Sequence, residues 1–165
     1  MGVDPGTAIA GFGVVDGGAG GRARPSLVEC GVIRTTARET LPERLRVVHE
    51  GIVELIQRHR PDVVAVEGIF YARNVRSTIV LGHARGVILL AAAAAGLPVA
   101  EYAPAMVKRT VVGRGAAAKA QVGYMVAQLL RLAQAPSPAD AADAVAIALT
   151  HLLRGGRMVG PAGDR

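Results

Sequence analysis

The chain has 165 residues, 51% of them apolar, which suits a single folded domain with a real core and excludes wholesale disorder. Its formal charge of +6 rests on 19 Lys and Arg, of which only Lys108 and Lys119 are lysines; that sign favours polyanions such as nucleic acid but names no partner by itself. The single Cys30 excludes an internal disulfide and suits a reducing compartment, where it reads as a small apolar filler.

In chain order, β-like pieces at Met1–Val3, Ile9–Val15 and Leu27–Thr35 are separated by Pro5-Gly6, the glycines of Gly17–Gly21 and Pro25, which predicts an antiparallel three-stranded meander. Thr40-Leu-Pro-Glu43 is a capping-box pattern, and Leu41, Leu45, Val48, Ile52 and Leu55 follow at helical steps, giving a helix that ends before Pro61. The apolar run from Asp62 to Val66 reads as a buried central strand delivering Glu67 at its end. A loop from Phe70 to Arg76 leads into a helix reaching Ala95, then a strand over Leu97–Tyr102 and helices over Met106–Val112, Lys119–Leu132 and Ser137–Leu153. This order predicts an α/β fold with a mixed sheet, one domain over residues 1–154, and a flexible tail over 155–165. Met1 leads straight into a motif with no signal-peptide pattern, and the longest apolar run, Val87–Ala100, contains Pro98 and falls short of the ~20 residues that cross a bilayer. A soluble, cytoplasmic protein without a membrane partner is expected.

The chemistry begins with SPADAADAVAIALTHLL, Ser137 to Leu153. Ser137 as N-cap and Pro138 as first helical residue would put Asp140 at the third position and Asp143 one turn further in, on the same face. Asp140 alone could be a capping residue favoured by the helix dipole. Asp143, set among Ala, Val, Ile and Leu, has no such excuse and needs a cation. Asp4, before a Pro-Gly turn, and Glu67 each close a strand, where α/β folds gather their sites. Three elements can therefore converge four carboxylates, which tolerate one another only with protonation or bound metal. All-oxygen ligation without a Cys or His cluster suits two Mg²⁺ ions, or Mn²⁺ in their place, in a two-metal phosphoryl-transfer site.

Two further groups suit nucleic acid. Phe70 and Tyr71 follow Glu67 closely in a chain with few aromatics, and Arg73, Asn74 and Arg76 continue the loop, the composition of a base-stacking platform beside phosphate-binding cations. Phe70 is equally a core candidate. Lys108 and Lys119 flank the Val112–Gly115 turn; isolated lysines are usually solvated surface. His83 and His151 lie in helical patterns with no nucleophile beside them and read as packing residues, while Arg58, Arg60 and Arg131 read as ordinary helix faces.

GVDPG at 2–6 with GFG at 11–13, VEGIFYARN at 66–74, LGHARG at 81–86, EYAPAMVKRTVVGRGAAAKAQV at 101–122 and ADAADAVAIALTH at 139–151, in that order, resemble the RuvC-type Holliday junction resolvases. The resemblance implies an RNase H-like fold with a mixed five-stranded sheet flanked by helices. It implies a Mg²⁺- or Mn²⁺-dependent crossover junction endodeoxyribonuclease of DNA recombination and repair, working as a homodimer in a bacterial cytoplasm at the nucleoid. Two symmetric nicks in a four-way junction would leave 5′-phosphate and 3′-hydroxyl ends, and the branch-migration proteins RuvA and RuvB would be partners. It implies Asp4, Glu67, Asp140 and Asp143 as metal-binding catalytic acids, although some relatives carry His where Asp140 stands. Lys108 and Lys119 would lie near substrate phosphates and Phe70 against junction bases. Gly68 departs from a position where a larger polar residue is common. Two other readings share parts of the pattern. Asp4-Pro-Gly-Thr7 also resembles the phosphate loop of actin-like ATPases, but their second phosphate loop and adenosine site are missing. A non-catalytic RNase H-like module that only binds nucleic acid would gain nothing from four converging acids.

Overall fold

The computed structural model describes residues 1–18, 24–68 and 75–155. Strands β1 (Gly2–Asp4), β2 (Ile9–Asp16) and β3 (Ser26–Arg34) pair antiparallel in the expected meander. Helix α1 (Leu41–His59) then crosses to β4 (Val64–Glu67), and α2 (Val75–Ala94) to β5 (Val99–Tyr102), both strands lying parallel to β1. The result is one mixed five-stranded sheet in the order β3-β2-β1-β4-β5, followed by α3 (Pro104–Val112), α4 (Lys119–Leu130) and α5 (Ala139–Leu153).

Two cores flank the sheet, and strand alternation divides the residues between them. Val3, Val64 and Val66 join Phe12, Val48, Ile52 and Ile88 under α1 and α2. Ala65 and Tyr102 point the other way, into the core shared with Val107, Val122, Val126, Val145, Ile147 and Leu149 of α3, α4 and α5. The short chain-starting strand β1 thus lies at the centre of the sheet, and α5 packs across β1 and β2.

The element ends move for identifiable reasons. Helix α1 starts as expected, with the Thr40 N–H donating to Glu43 Oε2 at 2.7 Å. Pro104, whose fixed φ suits a first helical turn, starts α3 earlier than the apolar pattern suggested. Arg60 and Arg131 are not ordinary helix faces: each ends its helix in the left-handed region, at φ 44° and 54°. Ser137 is not the N-cap of α5. That place falls to Pro138, whose backbone is extended and whose carbonyl accepts from the Ala141 and Ala142 amides, so Asp140 is the second helical residue rather than the third.

Helix α2 is long and apolar enough, by length and composition, to cross a membrane, a property hidden when only the uninterrupted apolar run is counted. In the fold Ala84, Ile88, Ala91 and Ala92 are buried and α2 packs along α1, while Val75, Ile79 and Leu90 stay exposed.

Candidate active site

The alternation that buries Val3 and Val66 under α1 and α2 turns their neighbours Asp4 and Glu67 to the opposite face, toward α5. Both acids end parallel, hydrogen-bonded strands, so they lie side by side at the C-terminal ends of two central strands. Helix α5 can reach them because the strands beneath it lack side chains. A Cβ on Gly2 would lie 2.2 Å from the Ala144 carbonyl oxygen, one on Gly11 2.1 Å from that of Asp140, and one on Gly13 2.6 Å from Val145 Cγ2. Glycines on the sheet and alanines on the helix together bring the α5 backbone onto β1 and β2, and Asp143 with it.

Asp4, Glu67 and Asp143 line one cavity of about 220 Å³, together with Lys108 and Lys119. Asp140, one turn before Asp143, is outside that lining and acts on Asp4 through its charge. Burial, then the charges of Glu67 and Asp143, push the Asp4 carboxyl up to about 7, against a smaller opposing pull from Lys119. Burial and the Asp143 charge raise Glu67 as well, with Lys119 and Lys108 acting against them. The Lys119 ammonium donates to Asp143 Oδ2 at 2.7 Å, and that bond raises the lysine above its ordinary range.

The donor set fits a hard divalent cation: carboxylate oxygens alone, crowded enough that one of them titrates near neutrality. Among the described residues no three His, Cys, Asp or Glu side chains are yet drawn together as a finished metal cage. Asp143 is engaged with Lys119 instead.

Of the other candidate residues, Lys108 and Lys119 share the cavity with the acids, Lys108 half-buried and Lys119 exposed. Arg76 is exposed and borders an open cleft against Gly6, Thr7, Ala8 and Ile9, the turn that follows Asp4. Phe70, Tyr71, Arg73 and Asn74 lie outside the described residues, as does the tail from 156. His151 is buried as a packing residue and makes a 2.8 Å hydrogen bond with the Tyr102 hydroxyl.

Sequence reasoning missed Arg44. From α1 its Nε donates to the Thr7 carbonyl at 3.0 Å and its Nη2 to Thr7 Oγ1 at 3.1 Å, while the Thr35 hydroxyl donates to the same carbonyl at 2.6 Å. The turn after Asp4 is thereby tied to α1 and to the residue after β3. A polar residue in the turn and an arginine in the first half of the next helix were the only signals, and neither says that the two meet.

A mixed sheet in this order, with a cluster of acids where parallel strand ends meet the last helix, defines the RNase H-like class of α/β domains. The family model for crossover junction endodeoxyribonuclease RuvC matches residues 1–151, and the chain belongs to that family. The crossover junction endodeoxyribonuclease RuvC of Parafrankia sp. is 55% identical over 155 residues, covering 94% of this chain and 86% of the relative. The structure of Thermus thermophilus RuvC superimposes with a TM-score of 0.83 at 41% identity, covering 92% of each chain. The same protein in complex with Holliday junction substrate gives 0.82 at 38% identity, covering 92% of this chain and 90% of that one.

Proposed function

We propose that this chain resolves four-way DNA junctions in recombination and repair, as a structure-selective endonuclease making two symmetric, metal-dependent nicks that leave 5′-phosphate and 3′-hydroxyl ends. The observation that carries the reading is the convergence of Asp4, Glu67 and Asp143 with Lys108 and Lys119 on one cavity, in a chain of the RuvC family. T. thermophilus RuvC, which shares the fold at 38% identity, is known with a Holliday junction bound.

Asp4, Glu67 and Asp143 hold the cation in this reading, with Asp140 as a further ligand or a proton carrier. Bound Mg²⁺, or Mn²⁺ in its place, two ions per site, supplies an activated water and stabilises the departing 3′ oxygen. Asp4 must give up its proton for that, which the cation's charge favours. Lys108 and Lys119 take the scissile phosphate's oxygens, which orients the phosphorus. Arg76, beside the turn after Asp4, takes a neighbouring phosphate with Arg73 and Asn74, and Phe70 and Tyr71, between Glu67 and Arg76 in sequence, receive unpaired bases.

Two like-oriented sites are needed for two symmetric cuts, so the working unit is a homodimer. The exposed Val75, Ile79 and Leu90 of α2 support that helix as its seam. Cooperation with RuvA and RuvB and a cytoplasmic, nucleoid-associated location complete the proposal. The test is strand cleavage of an end-labelled mobile four-way junction beside linear duplex of the same sequence. Paired nicks on the junction alone, dependent on Mg²⁺ or Mn²⁺, are expected; cutting of both substrates, or of neither, would contradict the reading.

A further inference from the structure

The two lysines at the acid cavity are not equivalent. Lys108 lines the cavity and acts on Glu67 through its charge, but among the described residues it forms no ion pair. Lys119 sits directly on Asp143 at 2.7 Å. Its side chain is 68% exposed against 22% for Asp143, so the lysine half of the pair can swing into solvent while the aspartate stays fixed on α5. The placement of Lys119 owes nothing to its own helix. It is the first residue of α4, where a cation opposes the helix dipole, and the first turn of α4 holds no acid to offset it. What holds the ammonium is the acid cluster itself, and while it stays there one Asp143 oxygen is taken by the lysine.

We propose that Lys119 is a displaceable internal counter-ion: it neutralises Asp143 until a divalent cation enters the cluster, is driven off by that cation, and is thereby freed for an incoming phosphate. The inference rests on the reading of Asp4, Glu67 and Asp143 as a metal site. Cation and ammonium compete for one carboxylate, so by linkage each weakens the other by the same factor, and metal loading thereby frees the lysine for phosphate. A lysine suits the task, being a compact charge on a flexible stem with no rigid fork to lock it in place.

The test is Mn²⁺ titration of the full chain without DNA, followed by the electron paramagnetic resonance of free Mn²⁺, for wild type, Lys119→Met, Lys119→Gln and Lys108→Met. Circular dichroism establishes that each variant is folded. Both Lys119 variants should bind Mn²⁺ about two- to fivefold more tightly than wild type, the range that an exposed ion pair commands. Lys108→Met, which removes the same charge from the same cavity without breaking a pair, should shift binding by less than half as much. Unchanged or weaker binding in the Lys119 variants would overturn the exchange, and so would an equal gain in Lys108→Met, which would reduce the effect to net charge. Absence of saturable binding in the wild type would instead remove the metal reading beneath it. The second half is read from junction affinity with Ca²⁺ against chelator: the gain on adding Ca²⁺ should be smaller in Lys119→Met, and an equal gain would overturn that half.

Discussion

Asp4 stands in a place that favours the carboxylic acid over the carboxylate. Burial first, then Glu67 and Asp143, raise it from the ordinary 3.8 to about 7. Between those values the folded chain keeps a proton that the unfolded chain has released, so without metal this residue makes stability fall as pH rises through that window. Above about pH 7 both forms are ionised and the loss is complete, on the order of 4 kcal/mol at most. Metal-free Asp4→Asn should therefore be more stable than wild type at pH 8, with the gap closing toward pH 4, and added Mn²⁺ should narrow it at pH 8. Denaturant midpoints across that range check the expectation; a gap that does not change with pH would refute it. At this scale the acids were legible because each is a charge ending an apolar run, Asp4 after Gly2-Val3, Glu67 after Val64–Val66, and Asp143 within the alanines of α5. Their partners were not. Lys119 meets Asp143 across 24 residues and Arg44 meets Thr7 across 37, and no periodicity encodes a contact between a helix end or a turn and a distant element.

At the scale of elements, the position of α5 depends on the absence of side chains at Gly2, Gly11 and Gly13. A methyl at Gly11 would meet the backbone of Asp140 and the amide of Ala141, and no rotamer change can relieve a clash with backbone. Gly11→Ala should destabilise the fold by about 1–3 kcal/mol, as overpacking does, and displace the N-terminal turn of α5 from β2. Cleavage should then fall by more than the remaining folded fraction accounts for, measured by thermal denaturation and junction cleavage on the same preparation. Full activity in the folded protein would show that the acids tolerate such a shift. The alanines of α5 already pointed to a close approach, but the glycines that receive it were visible in the sequence only as parts of strands and motifs. Apolar runs, periodicity and turn residues together identified the elements correctly in kind and order. The ends were less legible, since Pro138 and Pro104 each fix a helix start by their own φ rather than by the apolar pattern.

For the whole molecule, the exposed apolar residues of α2 have the spacing of a helix seam: Val75 is 72% exposed, Ile79 56% and Leu90 59%. If that seam pairs two copies, Ile79→Asp should shift the chain from dimer to monomer in sedimentation velocity at micromolar concentration while far-UV circular dichroism stays unchanged. A wild type that sediments as a monomer even with junction DNA would remove the seam. The sheet order itself was legible only as a mixed sheet, because which strand lies at the centre depends on crossovers that local pattern does not carry; that the three-residue β1 is central follows from its pairing with both β2 and β4.

In the proposed function the clustered acids perform phosphodiester hydrolysis and are not there to bind DNA. Its most direct measurement sets Asp143→Asn beside wild type, with junction binding and junction cleavage read from the same Mg²⁺-containing samples. Losing one ligand from such a site removes several kcal/mol of transition-state stabilisation, so cleavage should fall by roughly a thousandfold. Binding should hold or tighten, since one repulsive charge is gone. Lost binding with cleavage intact per bound junction, or cleavage close to wild type, would contradict the account.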